Sequence, residues 1–150
     1  MALPTASFDG HEIFGFAAVL DSNAVTAGPK AAAAVRHWGG VLQTKVKANA
    51  QGRPGPNMQT GDYNRSIELL VGNAADGVSP MATVGTNEPQ GRRLELGFEG
   101  EDSLGRIYHQ PPFPHFGPAV DEVDAPFTAS IAAIPDSLTG AGIDLLRRLT

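Results

Sequence analysis

His109 and His115 flank the run Gln110-Pro111-Pro112-Phe113-Pro114, and Asp121 and Glu122 follow a few positions on. Two imidazoles and a carboxylate are ligand types a zinc ion would take. Their spacing, interrupted by prolines, matches no pattern that places both rings on one centre. The segment therefore reads as a stiff, extended stretch whose rings dock on a neighbour, with the histidines as polar flanks. Glu99, Glu101 and Asp102 offer a second possible chemistry, an acid–base pair. Paired catalytic carboxylates need surroundings that push their pKa values apart, and these lie in a glycine-flanked loop, so a solvated charge run is expected. The chain has no Gly-x-Ser-x-Gly elbow, no His-Glu-x-x-His and no Gly-Lys-Ser/Thr phosphate cradle. With no cysteine, thiol nucleophiles, disulfides and Cys-ligated metals are excluded. The expectation is a protein without catalytic residues, metal or cofactor.

Charge is distributed unevenly. Lys30, Arg36, Lys45, Lys47 and Arg53 fall in a stretch from Ser22 to Gly61 that contains no acidic residue. Between Glu95 and Asp124 the balance reverses, and Arg106 alone faces a series of carboxylates. Two such regions can pair within one chain or between copies, which sets register and partner choice. The basic residues also provide a possible electrostatic contact with DNA in a channel. Ala, Val and Gly are interleaved with them rather than stacking aromatics, and the chain is acidic overall, at −5; sequence-specific reading of DNA is not expected.

A length of 150 residues suits one domain. Gly and Pro make up 30 of those positions, well above ordinary usage, so turns and irregular connections should be abundant. The first residues carry no basic cluster followed by a long apolar run, and Ile13 to Leu20 is too short to span a bilayer. A soluble, cytoplasmic chain is expected.

The elements that position these residues follow from pattern. Aromatic and β-branched residues from Phe8 to Val19 predict a strand, closed by a turn at Asp21-Ser22-Asn23. A helix capped by Asn23 or Thr26, with Pro29 in its first turn, then runs to about Asn49. Val35, Trp38, Leu42 and Val46 form its apolar stripe, and Gly39-Gly40 leaves room for another backbone. Pro54 to Asp62 is read as an exposed loop. Ser66 to Val71 and Met81 to Gly85 predict two antiparallel strands joined through Asp76-Gly77. Arg92 to Leu96 predicts a helical turn or two stopped by Gly97, and Phe98 to Pro114 a loop. A helix opens at Gly117-Pro118 with acids in its first turns, is kinked or restarted at Pro126, and is followed by a separate amphipathic helix from Gly140 to Leu149. The sum is an α+β domain: a long helix in the N-terminal half on a small, mainly antiparallel sheet, with a C-terminal helical region and extended Gly/Pro-rich loops.

Three segments carry a resemblance. They are Gln59-Thr60-Gly61-Asp62-Tyr63-Asn64-Arg65-Ser66-Ile67; Val84-Gly85-Thr86-Asn87 with Arg92-Arg93-Leu94-Glu95-Leu96-Gly97-Phe98; and Pro112-Phe113-Pro114-His115-Phe116-Gly117-Pro118-Ala119-Val120-Asp121-Glu122. In this order behind a helix they resemble the small neck or tail-completion proteins of long-tailed bacteriophages. The chain departs from that pattern at Gln90-Gly91, where an aromatic is usual, and at Asp62-Tyr63, where an apolar residue usually follows the glycine. The resemblance implies a virion subunit at the head–tail junction, assembled in the host cytoplasm into a homo-oligomeric ring, expected to be a hexamer, around the DNA channel. Head-closure or connector proteins and the tail terminator or tail-tube proteins would be its neighbours, and packaged DNA a non-specific contact. A tail terminator that ends tube growth is the alternative within that class; a small nucleic-acid- or ligand-binding domain is the alternative outside it.

An interaction loop at about 97–117 is accordingly expected to reach a neighbouring subunit. Phe98, Tyr108, Phe113, His115, Phe116, Arg92, Arg93 and Glu95 are the candidate interface residues. Lys30, Arg36, Lys45, Lys47 and Arg53 are the candidates for pairing with the acidic region or facing DNA.

Overall fold

The computed structural model describes the backbone of residues 10–57 and 59–149, and the side chains of 27–57 and 59–135. The order is α1 (Gly10–Asn49), α2 (Asp62–Arg65), β1 (Glu68–Asn73), β2 (Pro80–Gly85), α3 (Gln90–Leu96), β3 (Phe98–Glu101), β4 (Ile107–Gln110) and α4 (Phe116–Leu149). The fold is α+β, with two separate two-stranded antiparallel sheets, β1–β2 and β3–β4.

Helix α1 has 40 residues, about 60 Å at 1.5 Å per residue. The strand expected from Phe8 to Val19 is corrected: from Gly10 onward that stretch is helical, while Phe8 and Asp9 lie outside the described residues. A short apolar run has no periodicity that separates strand from buried helix. Once the alanine-rich turn at Ala31–Ala34 has nucleated a helix, extending it backwards adds a bond for each residue fixed. The turn at Asp21–Asn23 and the caps at Asn23 or Thr26 are therefore absent, and Pro29 lies inside the helix. The C-terminal end at Asn49 is as expected. Beyond it the loop is largely exposed, but Gly55 and Pro56 are buried, and the short α2 had no signal of its own.

The apolar stripe of α1 faces the core. Val46 and Ala50 are buried with Ile67 and Ala119, and Leu42, Tyr63, Val84 and Phe116 pack around them. Burying a side chain the size of Ile67 stabilises by roughly 2–3 kcal/mol. The β1–β2 hairpin lies across α1 in the register Leu69↔Val84 and Val71↔Ala82. It approaches closely because Gly39 carries no side chain: a Cβ there would stand 2.8 Å from Ala82 Cβ and 3.0 Å from a Leu69 methyl.

Helix α4 is one element of 34 residues, not the two segments expected, with Pro126 and Pro135 inside it. Packing along α1 holds it past Pro126. Ala119 and Val123 are buried, and Trp38 Nε1 donates to Ser130 Oγ at 2.9 Å. The amphipathic pattern of Ile143, Leu146 and Leu149 concerns side chains outside the described residues. The expected first-turn acids are also corrected: the helix starts at Phe116, and none lies in its first turn. No helix among the described residues is long and apolar enough to cross a membrane.

The stretch Phe98 to Pro114, expected to be a loop, forms the β3–β4 hairpin. Asp102 organises its turn, accepting from the N–H groups of Leu104 at 2.9 Å and Arg106 at 3.0 Å. Gly97 hinges the hairpin to α3 at φ 78°, and a Cβ there would stand 2.8 Å from the Gln110 carbonyl oxygen.

Candidate functional site

His115 is fully buried, at 0 % exposure, and every polar atom of its ring is engaged. Nδ1 lies 3.0 Å from the Phe113 carbonyl oxygen and 3.0 Å from Glu95 Oε2. Both are acceptors, so Nδ1 carries a proton. Nε2 lies 2.7 Å from the Tyr63 hydroxyl, and on a neutral ring it accepts the hydroxyl's hydrogen bond. The backbone is held as well, since Asn49 Nδ2 donates to the His115 carbonyl at 3.3 Å.

Glu95 links this ring to the start of α4. Its Oε2 accepts from the N–H groups of His115 at 2.9 Å and Phe116 at 3.0 Å, and its Oε1 from Gly117 at 2.8 Å. These are N–H groups that a helix start leaves without intrahelical partners, and a carboxylate is favoured there by the helix dipole. The acid that caps α4 thus comes from α3. Burial alone would raise the Glu95 carboxyl, but the N–H groups of His115, Gly117 and Phe116 outweigh it, and with the His115 ring they hold it below the ordinary carboxylate value.

Tyr63 responds in the opposite sense. Burial first, and then the Glu95 charge, push its hydroxyl up to about 12. A folded-state value above the unfolded 10.0 stabilises the fold below pH ~10 and withdraws that contribution as pH rises towards 12. Denaturation series at pH 9 and 11 should show stability falling across this range, with a smaller fall in Tyr63→Phe.

The first of the three segments reaches the second through Ser66 Oγ and Thr86 Oγ1, 2.6 Å apart. It reaches α1 through Asn64 Nδ2, which donates to the Lys47 carbonyl at 2.6 Å. The two departures noted in the sequence meet in space: a Cβ on Gly91 would stand 2.7 Å from the Thr86 methyl and 3.2 Å from the Tyr63 hydroxyl, so threonine and tyrosine share the room that glycine leaves. The network brings together Tyr63, Glu95 and His115, one residue from each segment. No ring atom of His115 faces solvent, and the arrangement fixes three chain segments to one another.

The other candidate residues lie around this hub. His115 and Glu95, expected on an interface, serve the interior of the subunit. Phe116 is half-buried against the core. Phe113 is stacked under Arg53, whose guanidinium lies 3.9 Å from the ring centroid, so Arg53 braces the loop after α1. Arg93 stacks on Phe98 at 4.3 Å, and Tyr108 lies beside Phe98 with centroids 6.5 Å apart. Arg92 and Lys30 are exposed. Lys45 forms an ion pair with Glu122 of α4, so the expected pairing of basic and acidic regions occurs within the chain at this point. Arg36 and Lys47 have no ion-pair partner among the described residues, and no group of three or more potential metal ligands occurs there.

No family model matches the chain, and neither does any curated protein or solved structure.

The β3–β4 hairpin leaves large apolar side chains uncovered. Leu104 is 74 % and Ile107 72 % exposed at its far end, while at its near end Arg93 of α3 stacks on Phe98. An isolated two-stranded hairpin is marginal in water. Leu70 and Val78, on the first hairpin, are exposed as well.

Proposed function

We propose that the chain is a structural subunit of the head–tail junction of a long-tailed bacteriophage, a neck or tail-completion protein that transforms no substrate. It acts as one of several copies in a ring around the DNA channel, sixfold where it meets the tail. Head-closure or connector proteins lie on one side, and the terminator or tail tube on the other. The observation that carries this reading is the convergence of the three resembling segments on Tyr63, Glu95 and His115. Short motifs scattered over some sixty residues acquire a common purpose if they define one subunit scaffold. The hairpin with its uncovered Leu104 and Ile107 supplies the kind of arm a ring contact needs.

Deleting Gly100 to Gln110 removes most of that arm and leaves the hub residues in place. The expected result is a folded chain that no longer forms rings and particles that no longer join heads to tails. Unchanged ring formation and unchanged virion yield would reject the reading.

A further inference from the structure

The two faces of the β3–β4 arm differ in character. Side chains alternate across a strand, and the register pairs Glu99 with His109 and Glu101 with Ile107. These four residues share one face. Phe98, Gly100, Tyr108 and Gln110 share the other, where the Phe98 ring lies over Gly100 and is capped by Arg93. That second face is partly covered within the subunit, by Phe98 and Arg93; the first is open and acidic. Asp102 in the turn is already spent on Arg106 and the backbone. Glu99 has only a loose contact with His109, at 3.9 Å, and Glu101 has no ion-pair partner among the described residues.

A complementary surface exists on α1. Arg36, Gly40, Thr44 and Lys47 recur at spacings of four, four and three, which places them along one flank of a helix. The flank spans about 16 Å from Arg36 to Lys47. Its two cations lack ion-pair partners among the described residues, and Gly40 leaves open space where a side chain would stand. The arm makes no extensive contact with the α1 of its own chain.

We propose that the acidic face of the β3–β4 arm docks on the Arg36–Lys47 flank of α1 in a second copy of this chain. Glu99 and Glu101 face the two cations, and Ile107 and Leu104 cover the open notch at Gly40. The contact runs head to tail, because arm and flank are different surfaces, and repetition closes a ring when the rotation between copies is a whole fraction of a turn. The inference rests on the ring reading above and specifies which surfaces of adjacent copies meet.

Charge reversal tests the pairing on the full chain, with oligomer mass followed by sedimentation at low and high salt. Glu99→Lys with Glu101→Lys should weaken association by at least about tenfold, as should Arg36→Glu with Lys47→Glu. Combining all four changes in one chain should restore it, and so should mixing the two double variants, because each arm then meets a flank of opposite sign. Association of the unaltered chain should weaken with salt. Circular dichroism verifies that each variant is folded. If the double variants still assemble, the contact is wrong and the ring reading survives. If folded double variants fail to assemble and neither combination rescues them, the pairing is wrong. A flank variant that assembles normally but loses retention of a short DNA duplex assigns the flank to DNA and overturns the proposal. An unaltered chain that stays monomeric overturns both readings.

Discussion

Glu95→Ala is expected to destabilise the subunit by about 3 kcal/mol. One helix cap contributes about 1 kcal/mol, and hydrogen bonds to a charged acceptor contribute about 1.5–3 kcal/mol. Here a single carboxylate serves three N–H groups and the His115 ring. The contributions are not independent, so the sum is smaller than that of separate bonds. Alanine also leaves the Nδ1–H of a fully buried imidazole with the Phe113 carbonyl alone. Glu95→Gln keeps one acceptor oxygen and brings an NH2 group where a second acceptor is needed; about 1–2 kcal/mol is expected. Urea unfolding at pH 7 measures both, and a loss under about 0.5 kcal/mol for the alanine variant, as for an ordinary surface change, would show that the network does not hold α4. Acid adds a second check. A carboxyl whose folded value lies below its unfolded 4.5 contributes stability that is present above pH 4.5 and lost as pH falls through the folded value. Asp62, Asp76 and Asp102 are lowered too, so the difference between Glu95 and its glutamine variant isolates the hub's share.

The adjacent glycines of α1 should behave in opposite ways. Gly39→Val places a branched side chain where even a Cβ would stand 2.8 Å from Ala82 and 3.0 Å from Leu69. Either the β1–β2 hairpin lifts from the helix or the side chains take poor rotamers, and a loss of about 2–3 kcal/mol is expected. Gly40→Ala meets nothing within 4 Å and removes a flexible residue from a helix interior, so a gain of about 0.5–1 kcal/mol is expected in the monomer. Thermal unfolding of both variants at one protein concentration checks the pair. Two losses of similar size would mean that the helix presents a different face to the sheet.

The sequence made some of this legible for identifiable reasons. The stripe Val35, Trp38, Leu42 and Val46, the end of α1 at Asn49, the first hairpin and the stop at Gly97 all rest on local periodicity or turn chemistry. The start of α1 did not, because Ile13 to Leu20 is apolar without a period, and the proline at 29 suggested a beginning where the structure has an interior. The arm was hidden by composition. Phe98-Glu99-Gly100-Glu101 alternates as a strand should, but glycine and acids are poor strand formers, and the stretch read as a loop. In the sequence His115 looks like a polar flank of a docking segment, because its partners lie 20 and 52 residues away. No spacing rule connects such positions; packing of α2, α3 and the start of α4 does.

The hub also constrains how such a chain can change over generations. Thr86 and Tyr63 fill the room left by Gly91, and Glu95 is useful only while His115 and the start of α4 present donors to it. Drift at any one of these positions narrows what the others can accept, so they should be inherited as a set. Exposed residues of the arm can vary between lineages whenever the surface that receives them varies too.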